Sequence, residues 1–214
     1  MNNNKYVTKL KADSKGYLYS FFRNASYKIN AFFCTKIMHF RLYIQKINIG
    51  NSPIFWGLSC FYRAPESIIT IGNHCLFDSA KYHNLVGLTN SCIISTVLKA
   101  AKLEIGNFVG FSGVRIGCHD HIEIGNNSLI GGNVLITDSD WHPLNPDIRH
   151  ESGDAIKTQP VIIGENVFIG ANSIILKGAI IGDNSVIGAG SVVSGIIPPN
   201  VIAAGNPCKV IKSL

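Results

Sequence analysis

A six-residue period is the strongest pattern in this sequence. Five consecutive sextets start with isoleucine, and the second position is glycine in four of the five. The fifth position is small or β-branched each time, and the pattern continues at Val193. A period of six is neither that of a helix nor that of a flat strand. It predicts a chain that turns a corner every six residues, so that three sides close a coil and the isoleucines stack inward, ~4.8 Å apart along the axis. The sextets begin at Ile163, Ile169, Ile175, Ile181 and Ile187.

The same pattern occurs upstream, with one irregularity. Phe111 and Ile124 are thirteen residues apart, which is two units plus one, and this spacing predicts a one-residue bulge near Gly117 or Cys118. Glycine and asparagine between the inward positions tolerate positive φ at the corners. One coil cannot bury its own inner face, so several coils must stack. The sequence therefore predicts an all-β solenoid. The upstream units begin at Ile71, Ile105, Ile124 and Ile130.

Composition supports this prediction and excludes other classes. Hydrophobic residues make up 46% and charged residues only 15% of the 214 residues. Such values exclude a disordered chain, and they leave too little Glu and Lys for a coiled coil. The six cysteines are scattered without a Cys-x-x-Cys pair, so we expect free thiols rather than a zinc site or a disulfide framework.

Residues 1–50 differ from the rest of the chain. They hold nine Lys or Arg against one acid, whereas residues 51–214 hold ten against twelve. Residues 16–44 carry apolar side chains at helical spacing, which predicts one or two amphipathic helices. A basic, aromatic segment fits an anionic membrane surface better than nucleic acid, and a solvated helix face is the alternative. We expect neither a spanning helix nor a secretory signal, because Arg23, Lys28 and Lys36 interrupt the apolar residues.

The repeat breaks between Ile136 and Ile163, which are twenty-seven residues apart. The segment between them is polar and carries three prolines. A long loop inside a regular solenoid is usually functional. We therefore expect a short helical segment over residues 1–50, a coil over 51–214, and one protruding loop at about 138–160.

The sextets, the loop and the C-terminal stretch together resemble the hexapeptide-repeat acyltransferases, in the branch of the maltose and galactoside O-acetyltransferases. The loop sequence Asp-Ser-Asp-Trp-His-Pro is similar to the stretch around that branch's catalytic histidine, and Gly188–Ile211 is similar to its C-terminal coil. The resemblance implies a left-handed parallel β-helix. Related coils also serve as nucleotide-sugar enzymes and as zinc proteins of carbonic-anhydrase type.

The resemblance implies that His142 is the general base. A histidine with a pKa of ~6.5 is suited to accept the proton of an attacking sugar hydroxyl. Asp138 or Asp140 would hold its other ring nitrogen, and Trp141 would wall the acceptor sugar; a turn and a local hydrophobic contact are the alternatives. His119 and His121 could bind zinc only together with His142. The histidine spacing of the carbonic-anhydrase-like zinc proteins is absent from this sequence, so we expect no metal.

The resemblance also implies where acetyl-CoA binds. Ala171 and Ala189 would offer backbone contacts, while Lys209 and Lys212 would meet the polyanionic nucleotide end. Ser194 and Gly195 stand where the family often has Thr-Lys, so Gly195 lacks a phosphate-binding side chain. Ser112 stands where galactoside enzymes place an acceptor-binding asparagine, which indicates a different acceptor.

These features predict an acetyl-CoA-dependent O-acetyltransferase that acts on a sugar of a surface polysaccharide or its precursor. We expect a cytoplasmic homotrimer, at the inner face of the membrane if residues 1–50 bind it, with each active site between two subunits. An amino-sugar N-acetyltransferase and a non-catalytic scaffold are the alternatives, since periodicity specifies fold and not chemistry.

Overall fold

The structure is a computed structural model that describes residues 13–81, 83–150 and 155–214. In these residues the chain winds repeatedly through three sheets, A, B and C, in that order. All neighbouring strands are parallel except the last pair. Sheet A contains β1 (Asn48–Ile49), β4 (Ile68–Ile71), β7 (Lys102–Ile105), β10 (His121–Ile124), β13 (Val161–Ile163), β16 (Ile180–Ile181) and β19 (Ile196–Ile197). Sheet B contains β2 (Ile54–Trp56), β5 (Leu76–Asp78), β8 (Gly110–Ser112), β11 (Leu129–Ile130), β14 (Phe168–Ile169), β17 (Val186–Ile187), β20 (Val201–Ala204) and β21 (Lys209–Ser213). Sheet C contains β3 (Cys60–Arg63), β6 (Ile93–Thr96), β9 (Arg115–Cys118), β12 (Leu135–Thr137), β15 (Ile174–Ile175) and β18 (Val192–Val193).

The inward positions of the sextets form the core, as the period predicted. In sheet B the rings of Phe55, Phe77 and Phe111 stack face to face in successive coils, with centroids 4.7 and 5.1 Å apart. Isoleucines continue this column at Ile130 and Ile169, and each is almost fully buried. Burying one such side chain stabilises the fold by ~1.5–3 kcal/mol, so the column stabilises the coil along its whole length.

Asparagine and glycine have different roles at the corner between sheets A and B. Asn127, Asn166 and Asn184 adopt positive φ there, as predicted. The glycine that follows each isoleucine does not need positive φ. A Cβ on Gly125 would lie 2.5 Å from the backbone of Gly164 in the next coil, so the glycine is required by close approach of the backbones.

The predicted irregularity lies in the expected region but has a different form. Phe111 and Ile116 occupy successive inward positions only five residues apart, and Ile124 follows eight residues after Ile116. The two additional residues, His119 and Asp120, form the corner after β9. The chain therefore combines one shortened side with one lengthened corner rather than a single bulge.

Two loops interrupt the coil, where the sequence predicted one. The loop between β12 and β13, residues 138–160, is the predicted loop. A second loop, residues 79–92, separates β5 from β6. Its Thr89 donates two hydrogen bonds to the side-chain carbonyl of Asn133, and Asn133 donates to the carbonyl of Gly87. The second loop is therefore fastened along the corner between sheets B and C.

The N-terminal segment forms one helix, α1 (Ser14–Ile44), which begins after the capping side chain of Asp13. Four of its side chains are buried: Ala31, Cys34, Met38 and Leu42. Thr35 accepts a hydrogen bond from the N–H of Phe55, and Asn30 accepts one from the N–H of Gly57. The helix thus closes the open end of the first coil and satisfies one backbone donor within strand β2 and one just after it. No helix in the described residues has the length and apolarity to cross a bilayer.

Candidate active site

Loop 138–160 leaves the corner between sheets C and A, called here the C–A corner. Its two ends are joined by hydrogen bonds from the Gln159 N–H to the Asp138 carbonyl, 2.9 Å, and from the Asp140 N–H to the Lys157 carbonyl, 3.2 Å. The Asp140 carboxylate forms an ion pair with Lys177 of the following coil. The base of the loop is therefore fixed to the solenoid, and residues 141–150 lie beyond this base.

His142 lies exposed just beyond this base. Trp141 before it adopts a φ of 64°, and Pro143 after it is buried, so the backbone on both sides of the histidine is constrained. Within the described residues, no group forms a hydrogen bond with its imidazole. The ring nitrogens are therefore accessible to a ligand, as a general base requires.

Neither aspartate holds His142 within one chain, contrary to expectation. The Asp138 carboxylate is fully buried and accepts hydrogen bonds from the N–H groups of His119 and Asp120, at 2.7 and 2.8 Å. Asp140 faces Lys177 instead. Asp138 therefore stabilises the lengthened corner after β9, because it satisfies two backbone donors there.

The Trp141 ring lies across the coil, where its Nε1–H donates to the Thr137 hydroxyl at 2.9 Å. Its edge contacts the His119 ring, and a Cβ on Gly117 would overlap it at 2.3 Å. Glycine at position 117 therefore makes the space for this tryptophan. Trp141 remains 45% exposed, so the surface predicted to face the acceptor is still available.

His119 and His121 have separate environments. The His119 ring is buried, and its Nδ1 lies 2.9 Å from the Ser139 hydroxyl. His121 lies half-buried on sheet A, with Nε2 3.3 Å from a carboxylate oxygen of Glu104. Across the described ranges, no three His, Cys, Asp or Glu side chains come together in a way that could hold a metal ion.

The buried His119 should make stability depend on pH. Burial lowers the pKa of His119, and the nearby Asp138 carboxylate only partly opposes this effect. Below pH ~6.5 the unfolded chain binds a proton that the folded chain does not, so the free energy of unfolding should fall on acidification, by at most ~1.4 kcal/mol per pH unit from this group. Urea unfolding at several pH values should show a smaller pH dependence for His119→Gln than for wild type. The exposed His39→Gln variant is the control, and equal slopes for wild type and His119→Gln would contradict the assignment.

A row of small residues follows the corner between sheets B and C, called here the B–C corner, and this row is called here the groove. Successive coils place Gly113, Gly132, Ala171 and Ala189 at this corner. Asn172 donates to the Gly132 carbonyl and Gly190 to the Ala171 carbonyl, which holds the coils in register. Gly132 is buried, and a Cβ there would meet the Leu88 side chain and Ala171, at 3.6 and 3.9 Å, so loop 79–92 covers the corner at this position.

Three backbone donors follow this corner one coil apart, and the first of them, at Gly132, is buried beneath loop 79–92. The N–H groups of Gly132, Ala171 and Ala189 have no hydrogen-bond partner among the residues that the structure describes. Small side chains and spaced amide donors suit an extended chain that carries amide groups. The predicted cofactor residues Ala171 and Ala189 are thus brought together one coil apart at the B–C corner.

The other predicted site residues divide between the two corners. Ser112 lies at the B–C corner, next to Gly113, and Lys209 pairs with Ala204 at the opposite end of the same edge. Lys212 lies further along β21. Ser194 and Gly195 follow β18 and lie at the C–A corner with loop 138–160. One chain therefore does not bring His142, Ser194 and Gly195 to the groove, because sheet C separates the two corners.

Sequence reasoning missed an Asp–His pair. His83 in loop 79–92 has its Nδ1 2.9 Å from a carboxylate oxygen of Asp78, at the B–C corner beside Ser112. The signal for this loop was the lack of sextets between Ile71 and Ile105.

Comparisons with known proteins agree with the fold. The family model "Hexapeptide repeat of succinyl-transferase" matches residues 160–194. The galactoside O-acetyltransferase of Lactococcus lactis is 38% identical over 144 residues, which cover 67% of this chain and 62% of that protein. The putative lipopolysaccharide biosynthesis O-acetyl transferase WbbJ of Escherichia coli is 37% identical over 110 residues, 46% of this chain and 54% of that protein. The chain thus spans less than two thirds of the length of these relatives.

Solved structures give the same picture. A galactoside acetyltransferase in complex with coenzyme A is 28% identical, with a TM-score of 0.50 over 78% of this chain and 64% of that chain. A mutant of AntD, an N-acyltransferase from Bacillus cereus, is 21% identical, with a TM-score of 0.61 over 82% of this chain and 88% of that chain, a likeness of fold alone. The coil is thus a left-handed parallel β-helix. With its sextets, this helix and these relatives, the chain belongs to the hexapeptide-repeat acetyltransferases, in the branch that contains the galactoside O-acetyltransferases.

Proposed function

We propose that this protein is an acetyl-CoA-dependent O-acetyltransferase that acetylates a sugar hydroxyl of a surface polysaccharide or of its precursor. The observation that carries the proposal is the groove of small residues at the B–C corner, with amide donors that are unpaired within the described residues. In the same chain, loop 138–160 presents the accessible His142. The names of the relatives, galactoside and lipopolysaccharide O-acetyltransferases, support a sugar acceptor.

His142 supplies the proton transfer that the reaction needs. Its imidazole accepts the hydroxyl proton while the sugar oxygen attacks the thioester carbonyl, an ester C–O bond forms and the C–S bond breaks. The imidazolium then returns the proton to the departing thiolate. Such a base accelerates the reaction by ~10²–10⁴-fold. The backbone N–H groups of Ala171 and Ala189 bind acetyl-CoA at the groove, and Lys209 faces the phosphates of acetyl-CoA.

We propose that the active site forms between two chains of a trimer. The C–A corner with His142 and the B–C corner with the groove lie on different edges of one solenoid, and a second chain brings them together. Sheet B offers an apolar outer face for such contact. Leu129, Phe168 and, at the adjacent corner, Phe108 are each about half exposed and border a shallow hollow of about 440 Å³.

The test is direct transfer. Purified protein is incubated with acetyl-CoA and a panel of methyl glycosides and oligosaccharides, and mass spectrometry detects the gain of one acetyl group. Loss of the acetyl group in mild alkali identifies an ester, whereas an alkali-stable product supports the amino-sugar alternative. Calorimetry with coenzyme A addresses the scaffold alternative, because an inert coil gives no heat of binding. Absence of transfer to every acceptor contradicts the proposal.

We also propose that the protein works in the cytoplasm at the inner face of the membrane, bound through α1. A solenoid cap normally presents a polar outer face, but here the side opposite the buried residues is apolar. Basic residues flank this face, and no acid follows Asp13 in the helix, so its charge complements an anionic bilayer. The apolar face comprises Phe22, Ile29, Phe33, Phe40 and Ile44, each more than half exposed, and the bases are Lys15, Arg23, Lys28, Lys36 and Arg41.

Binding to vesicles should follow this chemistry. We expect the protein to sediment with vesicles that contain phosphatidylglycerol, and binding should weaken as salt is raised. The double variant Phe33→Ser, Phe40→Ser should reduce the partition coefficient at least ~10²-fold, because burying each phenylalanine ring in the bilayer contributes ~1.5–3 kcal/mol to binding. The pair Tyr62→Ser, Ile93→Ser on sheet C is the control. Equal binding of the Phe33/Phe40 variant and wild type, or a change in oligomeric state instead, would contradict membrane docking.

A further inference from the structure

The pair of Asp78 and His83 lies outside the machinery described above. The Asp78 side chain is only 5% exposed, and besides His83 it accepts a hydrogen bond from the N–H of Ala80 at 3.2 Å. The His83 ring is held between two aromatic rings, with centroid distances of 4.5 Å to Tyr27 of α1 and 4.2 Å to Trp56 of β2. Helix, first coil and loop 79–92 therefore converge on this histidine, which fixes the position of its ring.

The position of the pair connects it with the groove. Asp78 and Ser112 are register partners in neighbouring strands of sheet B, so their Cα atoms lie ~4.8 Å apart. The carbonyl of Asp78 accepts the N–H of Gly113, the first small residue of the B–C corner. Further along this edge, every coil places glycine or alanine where Asp78 and Ser112 stand. Side chains that can recognise a ligand through hydrogen bonds are thus concentrated at one end of the groove.

The chemistry of the pair suits a hydroxyl ligand. A buried aspartate is acceptor-only when ionised, so His83 donates its Nδ1–H to Asp78. In the tautomer that donates Nδ1–H to Asp78, the lone pair lies on Nε2 and can accept a hydrogen bond from an O–H group. Among the described residues, nothing occupies Nε2, and the His83 side chain is 19% exposed. The hydroxyl of Ser112, the register partner of Asp78 in the next coil, also has no partner within the described residues and can donate or accept.

We propose that Asp78 and His83 form an acceptor subsite, in which Nε2 of His83 accepts a hydrogen bond from a hydroxyl of an acceptor sugar bound at this end of the B–C corner. The proposal deepens the proposed function and rests on it, because it names which residues recognise the acceptor. His83 is a binding residue here, and the proton transfer remains with His142. Asp78 positions the ring and selects the tautomer that accepts.

Three substitutions separate recognition from a structural role. Asparagine at position 83 places its amide near Nδ1, so His83→Asn keeps a donor for Asp78 and lacks any group at the Nε2 position. Glutamine reaches the Nε2 position with an oxygen that accepts. We expect His83→Ala and His83→Asn to raise the KM for the acceptor ~3–10-fold with little change in the KM for acetyl-CoA, as the loss of one neutral hydrogen bond predicts. His83→Gln should recover part of this loss.

The assay uses the glycoside that wild type acetylates best, together with its monodeoxy analogues. With wild type, one monodeoxy analogue should show the same rise in acceptor KM that His83→Asn shows with the parent glycoside. With His83→Asn, this analogue should show no further rise in KM. His39→Gln on the exposed side of α1 is the matched control and should be indistinguishable from wild type. Thermal unfolding verifies that each variant is folded.

The outcomes distinguish the two proposals. If wild type acetylates no glycoside, the proposed function fails and the subsite fails with it. If wild type transfers normally and His83→Asn keeps the wild-type KM for the acceptor, only the subsite is overturned, and the pair merely fastens loop 79–92. A rise in the KM for acetyl-CoA of the same size as that for the acceptor would also overturn it.

Discussion

Replacing His142 by alanine should lower kcat by ~10²–10⁴-fold and leave the affinity for coenzyme A close to that of wild type. The imidazole acts on the acceptor hydroxyl only as attack proceeds, whereas the groove at the B–C corner holds the nucleotide through backbone groups. Because His142 is exposed and makes no hydrogen bond within the described residues, its loss should not destabilise the fold. Steady-state kinetics and calorimetry with coenzyme A measure the two effects separately.

Lys209→Ala is the matched comparison for this variant. Lys209 lies exposed opposite Ala204, at the end of the groove far from Ser112, and we expect a raised KM for acetyl-CoA with a milder change in kcat. The His142 variant should also lose the acidic limb of its pH–rate profile, because a protonated imidazole cannot accept a proton. Near-normal turnover of His142→Ala, together with inactivity of His119→Ala, would move the base to the corner after β9.

The sequence was informative wherever one coil repeats the next. Ile163, Ile181 and their counterparts predicted the inward columns because side-chain periodicity is set locally by the turn at each corner. Helix α1 was predicted for the same reason, from its spacing of apolar residues. Phe33 and Phe40 belong to that spacing but lie opposite the buried stripe and remain exposed, so the spacing predicted the helix without identifying its buried face.

The partners of site residues could not be read from spacing. Asp138 precedes His142 by four residues, yet its carboxylate binds backbone donors at His119 and Asp120, nearly a full coil earlier. Asp78 and His83 are close in sequence, but their relation to Ser112 depends on the register of β5 with β8. Contacts between coils depend on the irregular lengths of individual corners, and these lengths leave no periodic signal.

Charging the outer face of sheet B should dissociate the proposed trimer and abolish transfer. Phe168→Glu places a carboxylate among Leu129, Phe108 and the hollow that they border, so an assembled interface would bury an unpaired charge. Light scattering should show a monomer, and kcat/KM should fall at least ~10²-fold, because a lone chain cannot place His142 against the groove. Ile68→Glu, on the exposed face of sheet A, is the control and should remain trimeric. An active Phe168→Glu monomer would show that one chain contains a complete site.

Mixing two inactive chains gives the sharper form of this prediction. Ala171→Trp fills the groove but keeps His142, whereas His142→Ala keeps the groove but lacks the base. In trimers that assemble at random from equal amounts of the two, each site takes its groove from one chain and its histidine from the next, so about a quarter of the sites pair two intact halves. Unfolding and refolding the mixture should therefore recover about a quarter of wild-type activity, while each variant refolded alone stays inactive. If both halves of the site came from the same chain, the mixture would recover nothing, because every chain carries one of the two defects.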